Sequence, residues 1–329
     1  MKKFFLSLLA IVGLVLVAFF VTAKYGLIEI KQETVLNMVG IYPNDEMRGR
    51  FTVNENGDQV VFSRGNLQYQ PSTGTWKLAK NQWDILGSDN AEASKDNTKW
   101  IDLFGWGTSD DPMKNGEFDT DYAEFNEWGT QIPTSDAEHP WRTLSAKEWK
   151  YLFFERENAV HLFGLGSVNG VNGLIILPDN WDGQPITACA DKGMEIVEEE
   201  EEIEEKDETD SLVGFEEIIG EDTVDLTESK KEPETYFLDS HSENHFADNV
   251  YTKWQWNKLA KRGAIFLPAT GYREGTDLRF VNEAGQYWSS TPDEPNEFAR
   301  YFGFTTCNVL PSYYTARRDG LSVRLVKQK

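Results

Sequence analysis

The chain is short of the side chains that most often carry chemistry. Two cysteines, Cys189 and Cys307, and four histidines, at positions 139, 161, 241 and 245, occur in 329 residues. His139 precedes Pro140 in a loop with no nucleophile motif beside it, which leaves a Ser–His or Cys–His arrangement without support. His241 and His245 have the i, i+4 spacing of a helical metal pair, with Asp239 and Glu243 nearby, but they border a highly charged stretch where a solvated cluster explains them as well. Basic residues are scarce too. With 32 Lys and Arg against 55 Asp and Glu the formal net charge is −23, so no basic face exists for phosphates and a nucleic-acid partner is excluded. Asp119, Asp121 and Glu124 form an oxygen cluster that lacks the glycine and ligand order of an EF-hand loop, and a structural calcium is the only cofactor such a loop would admit.

Long apolar runs are also missing, with one exception. Lys2 and Lys3 precede an uninterrupted run from Phe4 to Val21, and Val21-Thr22-Ala23 follows as a small-residue cleavage pattern. Residues 1–23 are therefore expected to be a signal peptide or an uncleaved N-terminal membrane anchor, the run being long enough to span a bilayer. No lipobox cysteine follows, which disfavours a lipoprotein. Residues 24–48 read as a polar stem, and the bulk of the chain is expected outside the membrane, in the cell envelope or on the surface. There the two cysteines have two open readings, a Cys189–Cys307 bridge or two isolated thiols.

Aromatic residues are abundant, with 11 Trp and 20 Phe. Hairpin grammar opens the domain: F-T-V, a turn at Asn56-Gly57, V-V-F-S, then G-N-L-Q-Y, a turn at Ser72 to Gly74, and T-W-K. The block from Asn81 to Trp106 is dense in Trp and Gly, as in a packed irregular loop region. Two capping boxes predict two helices. Ser145 with Glu148 opens one whose Trp149, Leu152 and Phe153 share a face; Thr252 with Gln255 opens another, carrying Trp256, Leu259 and Ala260 and ended by Gly263. The all-apolar runs Gly173 to Pro178 and Gly263 to Pro268 predict central strands covered on both faces. Between Glu195 and Glu234 lie nineteen acidic and three basic residues, so this stretch carries −16 of the chain's −23. An excursion at about 190–234, disordered or partly helical and solvated, is expected there. Short strands, two helices and long loops make an α+β domain over 49–329.

The stretch from Gly285 to Val326 frames a segment rich in Tyr, Phe, Arg, Asn and Thr between two strand motifs, a composition suited to contact rather than to core filling. Eight motifs in order carry a resemblance: F-S-R-G-N-L-Q-Y (62–69), N-Q-W-D (81–84), W-I-D-L-F-G-W-G (100–107), W-R-T-L-S-A-K-E-W (141–149), V-N-G-L-I-I-L-P-D-N-W (171–181), G-A-I-F-L-P-A-T-G-Y-R (263–273), Y-W-S-S (287–290) and S-V-R-L-V (322–326). Together they resemble the exported proteins of the Fibrobacter succinogenes major paralogous domain family of gut Bacteroidetes, over 49–329 apart from the acidic insert.

The resemblance implies a C-type-lectin-like fold of the kind found in formylglycine-generating enzymes and in retroelement-diversified ligand-binding proteins, whose variable positions lie in the last strands and loops. Here the corresponding variable region is 291–319. It implies scaffold roles for Trp288, Ser289, Ser290, Gly320, Val323 and Arg324, and exposed ligand-binding roles for Asn296, Glu297, Arg300, Asn308, Tyr313, Tyr314, Arg317 and Arg318. Tyr and Arg supply contact area and directed hydrogen bonds at modest entropic cost. The partner so implied is an extracellular glycan or protein. An enzyme of the formylglycine-generating type would need two closely placed cysteines near the C-terminus, and Cys307 has no near partner in sequence; a structural adhesin or pilus-tip component is the other alternative. Of the tryptophans, Trp83, Trp100, Trp106, Trp149 and Trp181 fall within those motifs and are expected to pack, leaving Trp128, in E-F-N-E-W-G, as the candidate for stacking on a sugar ring.

Overall fold

In a computed structural model of the protein, residues 45–91, 94–114, 122, 124–133, 138–192, 195–197, 235–237, 244–293 and 298–329 are described. The export segment, most of the stem, the body of the acidic insert, Asp119, Asp121, Asp239, His241, Glu243, Asn296 and Glu297 lie outside them. Among the described residues no helix is long and apolar enough to cross a membrane.

Local signals set the first elements. Strands β1 (Phe51–Thr52) and β2 (Gln59–Phe62) pair across a turn. The Asn54 side-chain carbonyl accepts from the amides of Asn56 and Asp58, and Gly57 takes the positive φ that the turn needs. Strands β3 (Leu67–Gln70) and β4 (Thr75–Leu78) pair across Pro71–Thr73, closed by left-handed Gly74. Helix α1 (Ala146–Lys150) carries the expected capping box: the Ser145 hydroxyl accepts from the Glu148 amide, and the Glu148 carboxylate accepts from the Ser145 amide. It then widens into a π-helical turn, Tyr151–Glu155, which the apolar spacing does not announce. Trp149, Leu152 and Phe153 are all fully buried.

Strands β5 (Phe163–Val168) and β6 (Val171–Ile176) form a hairpin. Short strands β7 (Glu195–Val197) and β8 (Thr235–Phe237) bracket the acidic insert. At the start of the stretch expected as an excursion, Cys189–Lys192 form a 3₁₀ turn and β7 is paired with β8; the expectation for 198–234 lies outside the described residues. After β9 (Val250–Tyr251), helix α2 (Lys253–Ala260) begins at the second capping box, and Gly263 follows it with φ +106. Strand β10 (Ile265–Pro268) pairs antiparallel with β6, so the two similar apolar runs are neighbours, Ile265 opposite Ile176 and Pro268 opposite Gly173. The order β10-β6-β5-β9 puts β10 at the end of its sheet rather than in the middle. Its open edge is met by a side chain instead of a strand: Gln82 accepts from the Phe266 amide at 2.7 Å and donates to the Ala264 carbonyl at 3.3 Å, as a peptide unit would.

The hairpin β11 (Tyr272–Glu274) and β12 (Asp277–Arg279) leads into β13 (Gly285–Asp293), β14 (Phe298–Phe304) and β15 (Asn308–Ala316), to which β8 and β7 add two edge strands in the order β13-β14-β15-β8-β7. Strand β16 (Val326–Gln328) pairs with β2 and so returns to the first hairpin. The architecture is mixed α+β, mostly strands with two short helices. Alternation along β13 and β14 feeds two cores. Tyr287, Phe302 and Phe304 enter a core built on α1, β5, β6 and β10, while Trp288, Ala299 and Tyr301 enter a second one with Trp106, Trp128, Trp141 and Leu325.

The segment Gly320–Val326 joins these layers. Leu321 exchanges backbone hydrogen bonds with Phe104 (2.9 and 3.0 Å), Ser322 bonds both Trp288 and Gln286, Val323 accepts from Leu67, Leu325 accepts from Ser63, and Val326 exchanges bonds with Arg142. Arg324, 1% exposed, lies in this seam. Its guanidinium donates to Asn66 at 3.2 Å and Gln82 at 3.1 Å, and its Nε has no partner among the described residues. Asn66 in turn donates to the Tyr287 hydroxyl, which donates to the Pro268 carbonyl at 2.7 Å. Burial, only partly opposed by Tyr287, lowers the Arg324 pKa to about 10 and raises that of Tyr287. Nearby Asp102 is also buried; its pKa is raised to about 6 by burial, against hydrogen bonds from Asn90 and the Leu86 amide.

Two outcomes follow from this network. Gln82→Ala removes both a strand-edge partner and an Arg324 acceptor, and should cost ~3 kcal/mol in urea unfolding. Combined with Arg324→Met it should cost clearly less than the sum of the single changes, because the buried cation is then gone; additive losses would contradict the linkage. For Asp102 the folded state binds the proton more tightly than the unfolded chain, so its contribution is full at low pH and is lost as pH rises towards about 6. Between pH 5 and 7 wild-type stability should fall by about 1 kcal/mol relative to Asp102→Asn, and parallel pH dependences of the two would refute the assignment.

Candidate functional site

The sheet β13-β14-β15 is divided by two register shifts, between Trp288 and Pro292 against β14, and between Tyr301 and Gly303 against β15. Bulges of this kind re-aim side chains. At the inner end, before the bulges, Tyr287, Trp288, Phe302 and Phe304 are at most 1% exposed. On the outer side the paired residues are Pro292 with Ala299, Asp293 with Phe298, Arg300 with Tyr314, and Phe298 with Ala316, and most of these side chains reach solvent.

Arg300 is the organiser of that outer end. It pairs with Asp293 at 2.9 Å and donates to the Ser312 hydroxyl at 3.3 Å, which holds a half-buried guanidinium in one place. Beside it Tyr314 is 36% exposed, its ring stacked on that of Tyr313 at 5.2 Å and edge-on to Phe298 at 5.6 Å. Tyr313 leans against the second core and meets Tyr301 edge to face. Burial, with the charge of Asp319 and neighbouring groups, raises the phenol pKa of both Tyr301 and Tyr272. Tyr301 and Tyr272 are therefore held in the neutral, hydrogen-bonding form. The chemistry offered is a fixed cation, a rigid aromatic pair and neutral hydroxyls, which suits recognition by hydrogen bonding and ring contact.

Of the eight residues expected to contact ligand, Arg300, Tyr313 and Tyr314 meet at this outer end. Arg318 is exposed on the turn after β15, and Asn308, half-buried, lies at the other end of β15, bonded to the Thr305 hydroxyl. Asn296 and Glu297 are outside the described residues. Arg317 is not exposed as expected: at 1% exposure it is one of the most buried large side chains. Its guanidinium lies 4.5 Å over the Trp106 ring, and it donates to the carbonyls of Phe298 (2.8 Å) and Tyr122 (3.4 Å). It braces the sheet from behind because the turn at Asp319 directs it inward while Arg318 points out. Asp293, Ser312 and Tyr272 were missed. Asp293 had a signal, being the carboxylate seven residues before an arginine on a paired strand, but the register that joins them is set by a bulge.

Other expectations fare differently. Trp128 is not a sugar platform: it is fully buried, edge-on to Phe125 at 5.3 Å, because Glu127 caps its turn and ties it to Thr143. The exposed indole is Trp254 on α2, 67% exposed, with the Lys258 ammonium over its face. Both cysteines are free, and burial pushes the Cys189 thiol up to about 12, which leaves it without thiolate character. His245 is buried and bonds Asp248 at 2.9 Å. Among the described residues no group of His, Cys, Asp and Glu could hold a metal ion. Of the residues expected to be scaffold, Trp288, Ser289, Val323 and Arg324 are at most 1% exposed, Gly320 is buried and Ser290 is partly exposed.

Residues 234–326 match a family described as a domain of unknown function, DUF8237. The match begins at the return of the acidic insert and contains β8 to β15, hence the whole outer end of the sheet. No curated protein and no solved structure matches the chain.

The division between outer residues and brace gives a direct test. Arg317→Ala should lower stability by ~2–4 kcal/mol through lost hydrogen bonds and an emptied site against Trp106, whereas Tyr314→Ala and Arg318→Ala should change it by less than about 1 kcal/mol. Thermal unfolding of the three variants checks this.

Proposed function

We propose that the protein is an exported ligand-binding module of the cell envelope, with a C-type-lectin-like fold and kinship to the Fibrobacter succinogenes major paralogous domain family. Its ligand, an extracellular glycan or protein, meets the outer end of β13, β14 and β15. One observation carries the reading. Before their bulges β13 and β14 send alternate side chains into two cores, and beyond them the sheet presents Asp293, Arg300, Ser312 and Tyr314 as a pre-arranged, partly exposed group. A buried sheet that supports a rigid polar and aromatic rim is an economical way to hold contact residues in place while they vary. Export follows from the apolar run of residues 4–21 behind two lysines.

The same division supports a diversified surface. In the gene from many closely related cells, amino-acid changes should concentrate at Phe298, Arg300, Tyr314 and Arg318, while Arg317, Trp288 and Val323 to Val326 stay fixed. An even spread of changes through 291–319, or none above the rest of the chain, would sink the reading of a variable surface.

A further inference from the structure

A second concave region lies away from that sheet, where the β1–β2 hairpin, the π-helical turn after α1 and the loop after β6 converge. Two adjoining clefts, of about 530 and 320 Å³, share Asn158 and Asp179 as their common wall. Their sizes fall in the range of small-ligand sites. None of their lining residues belongs to 291–319.

The shared wall is rigid. One Asp179 carboxylate oxygen accepts from the Thr52 amide and hydroxyl, both at 2.8 Å, and from Gln59 at 3.0 Å; the other accepts from Arg156 at 3.0 Å. Arg156 is itself held by the widened turn, donating through Nε to the Leu152 carbonyl at 2.8 Å. Its side chain is 1% exposed, and its remaining terminal nitrogen has no partner among the described residues. Around this buried pair the rim is open and polar. Asn158, in a left-handed conformation, and Asn180 are exposed, and their side-chain amides make no hydrogen bond within the described residues. At the far end stands Trp181, half-buried, its Nε1 donating to the Gln184 carbonyl at 3.0 Å. A Cβ at Gly183 would collide with its ring, so the backbone there braces the indole closely.

The charge of the groove selects its ligand. Glu157, Asp179 and Asp191 line it, while the one arginine is already matched by Asp179, so an anionic ligand meets net repulsion. Uncommitted amides beside a braced indole suit a neutral molecule with many hydroxyls and an apolar ring face. We propose that this groove binds a neutral oligosaccharide, with one sugar ring against Trp181 and hydroxyl groups bonded to Asn158 and Asn180. The site is independent of the sheet surface and stands or falls separately from it.

Titration of the full chain with cello-, xylo-, manno- and chito-oligosaccharides, followed by tryptophan fluorescence and calorimetry, tests this. At least one should bind saturably. Trp181→Ala should weaken it by about tenfold or more. Asn180→Ala, a change at an exposed side chain that leaves the fold intact, should weaken it several-fold, and Arg300→Ala with Tyr314→Ala should leave it unchanged. Saturable binding by none of the four series, full binding by both groove variants, loss only in the Arg300 and Tyr314 variant, or preference for an anionic glycan such as polygalacturonate would each overturn the proposal.

Discussion

A single guanidinium is buried at the point where the chain closes on itself. Arg324 sits in the seam formed by Gly320 to Val326, and its hydrogen-bond partners among the described residues are the neutral amides of Asn66 and Gln82. A cation removed from water without a carboxylate is costly unless every acceptor around it is held in place. The surrounding motifs do that holding. Asn66 is tied to Tyr287, Tyr287 to the end of β10, and Gln82 to the edge of the same strand. Residues far apart in sequence thus share one solvation shell, and displacing any of them exposes the same buried charge to an unsatisfied environment. Strand β10, which lacks a second strand neighbour, depends on that shell for its hydrogen bonds.

The sheet beside this seam explains where contact with another molecule is available. Strands with alternate residues in two cores have no free face, so the inner halves of β13 and β14 are committed to packing. Register shifts release the outer halves. Arg317 then closes the back of that outer end by lying over Trp106, with the result that a polar rim is supported by an aromatic base. Rigid support and an exposed contact surface are compatible here because different residues of the same strand and turn carry them.

What the sequence made legible was local. Both hairpins and both capping boxes are encoded within a few residues, and they formed as their turn and cap chemistry required. The α+β class followed from the count and length of such pieces. Arg317 and Arg318 were indistinguishable as neighbours in a polar segment, since inward or outward direction depended on a turn and on two bulges. Trp128 was misread because its polar neighbours Glu127 and Asn126 suggested solvent, although Glu127 spends its carboxylate on the backbone of the adjacent turn and on Thr143. The pairing of the two apolar runs, and Gln82 standing in for a strand, are long-range facts with no local signature. The widened turn after α1 has the same apolar spacing as an ordinary helix.

The pairing of β7 with β8 places the two ends of the acidic insert side by side, at the margin of the sheet. A loop whose ends are already joined adds closure entropy only as the logarithm of its length. The β7–β8 pairing therefore supplies the closure of the stretch between Val197 and Thr235, at an entropic cost that grows only slowly with the number of residues between them. The charge of −16 carried by residues 195–234 is thereby anchored at both ends to the margin of the sheet that holds β13, β14 and β15.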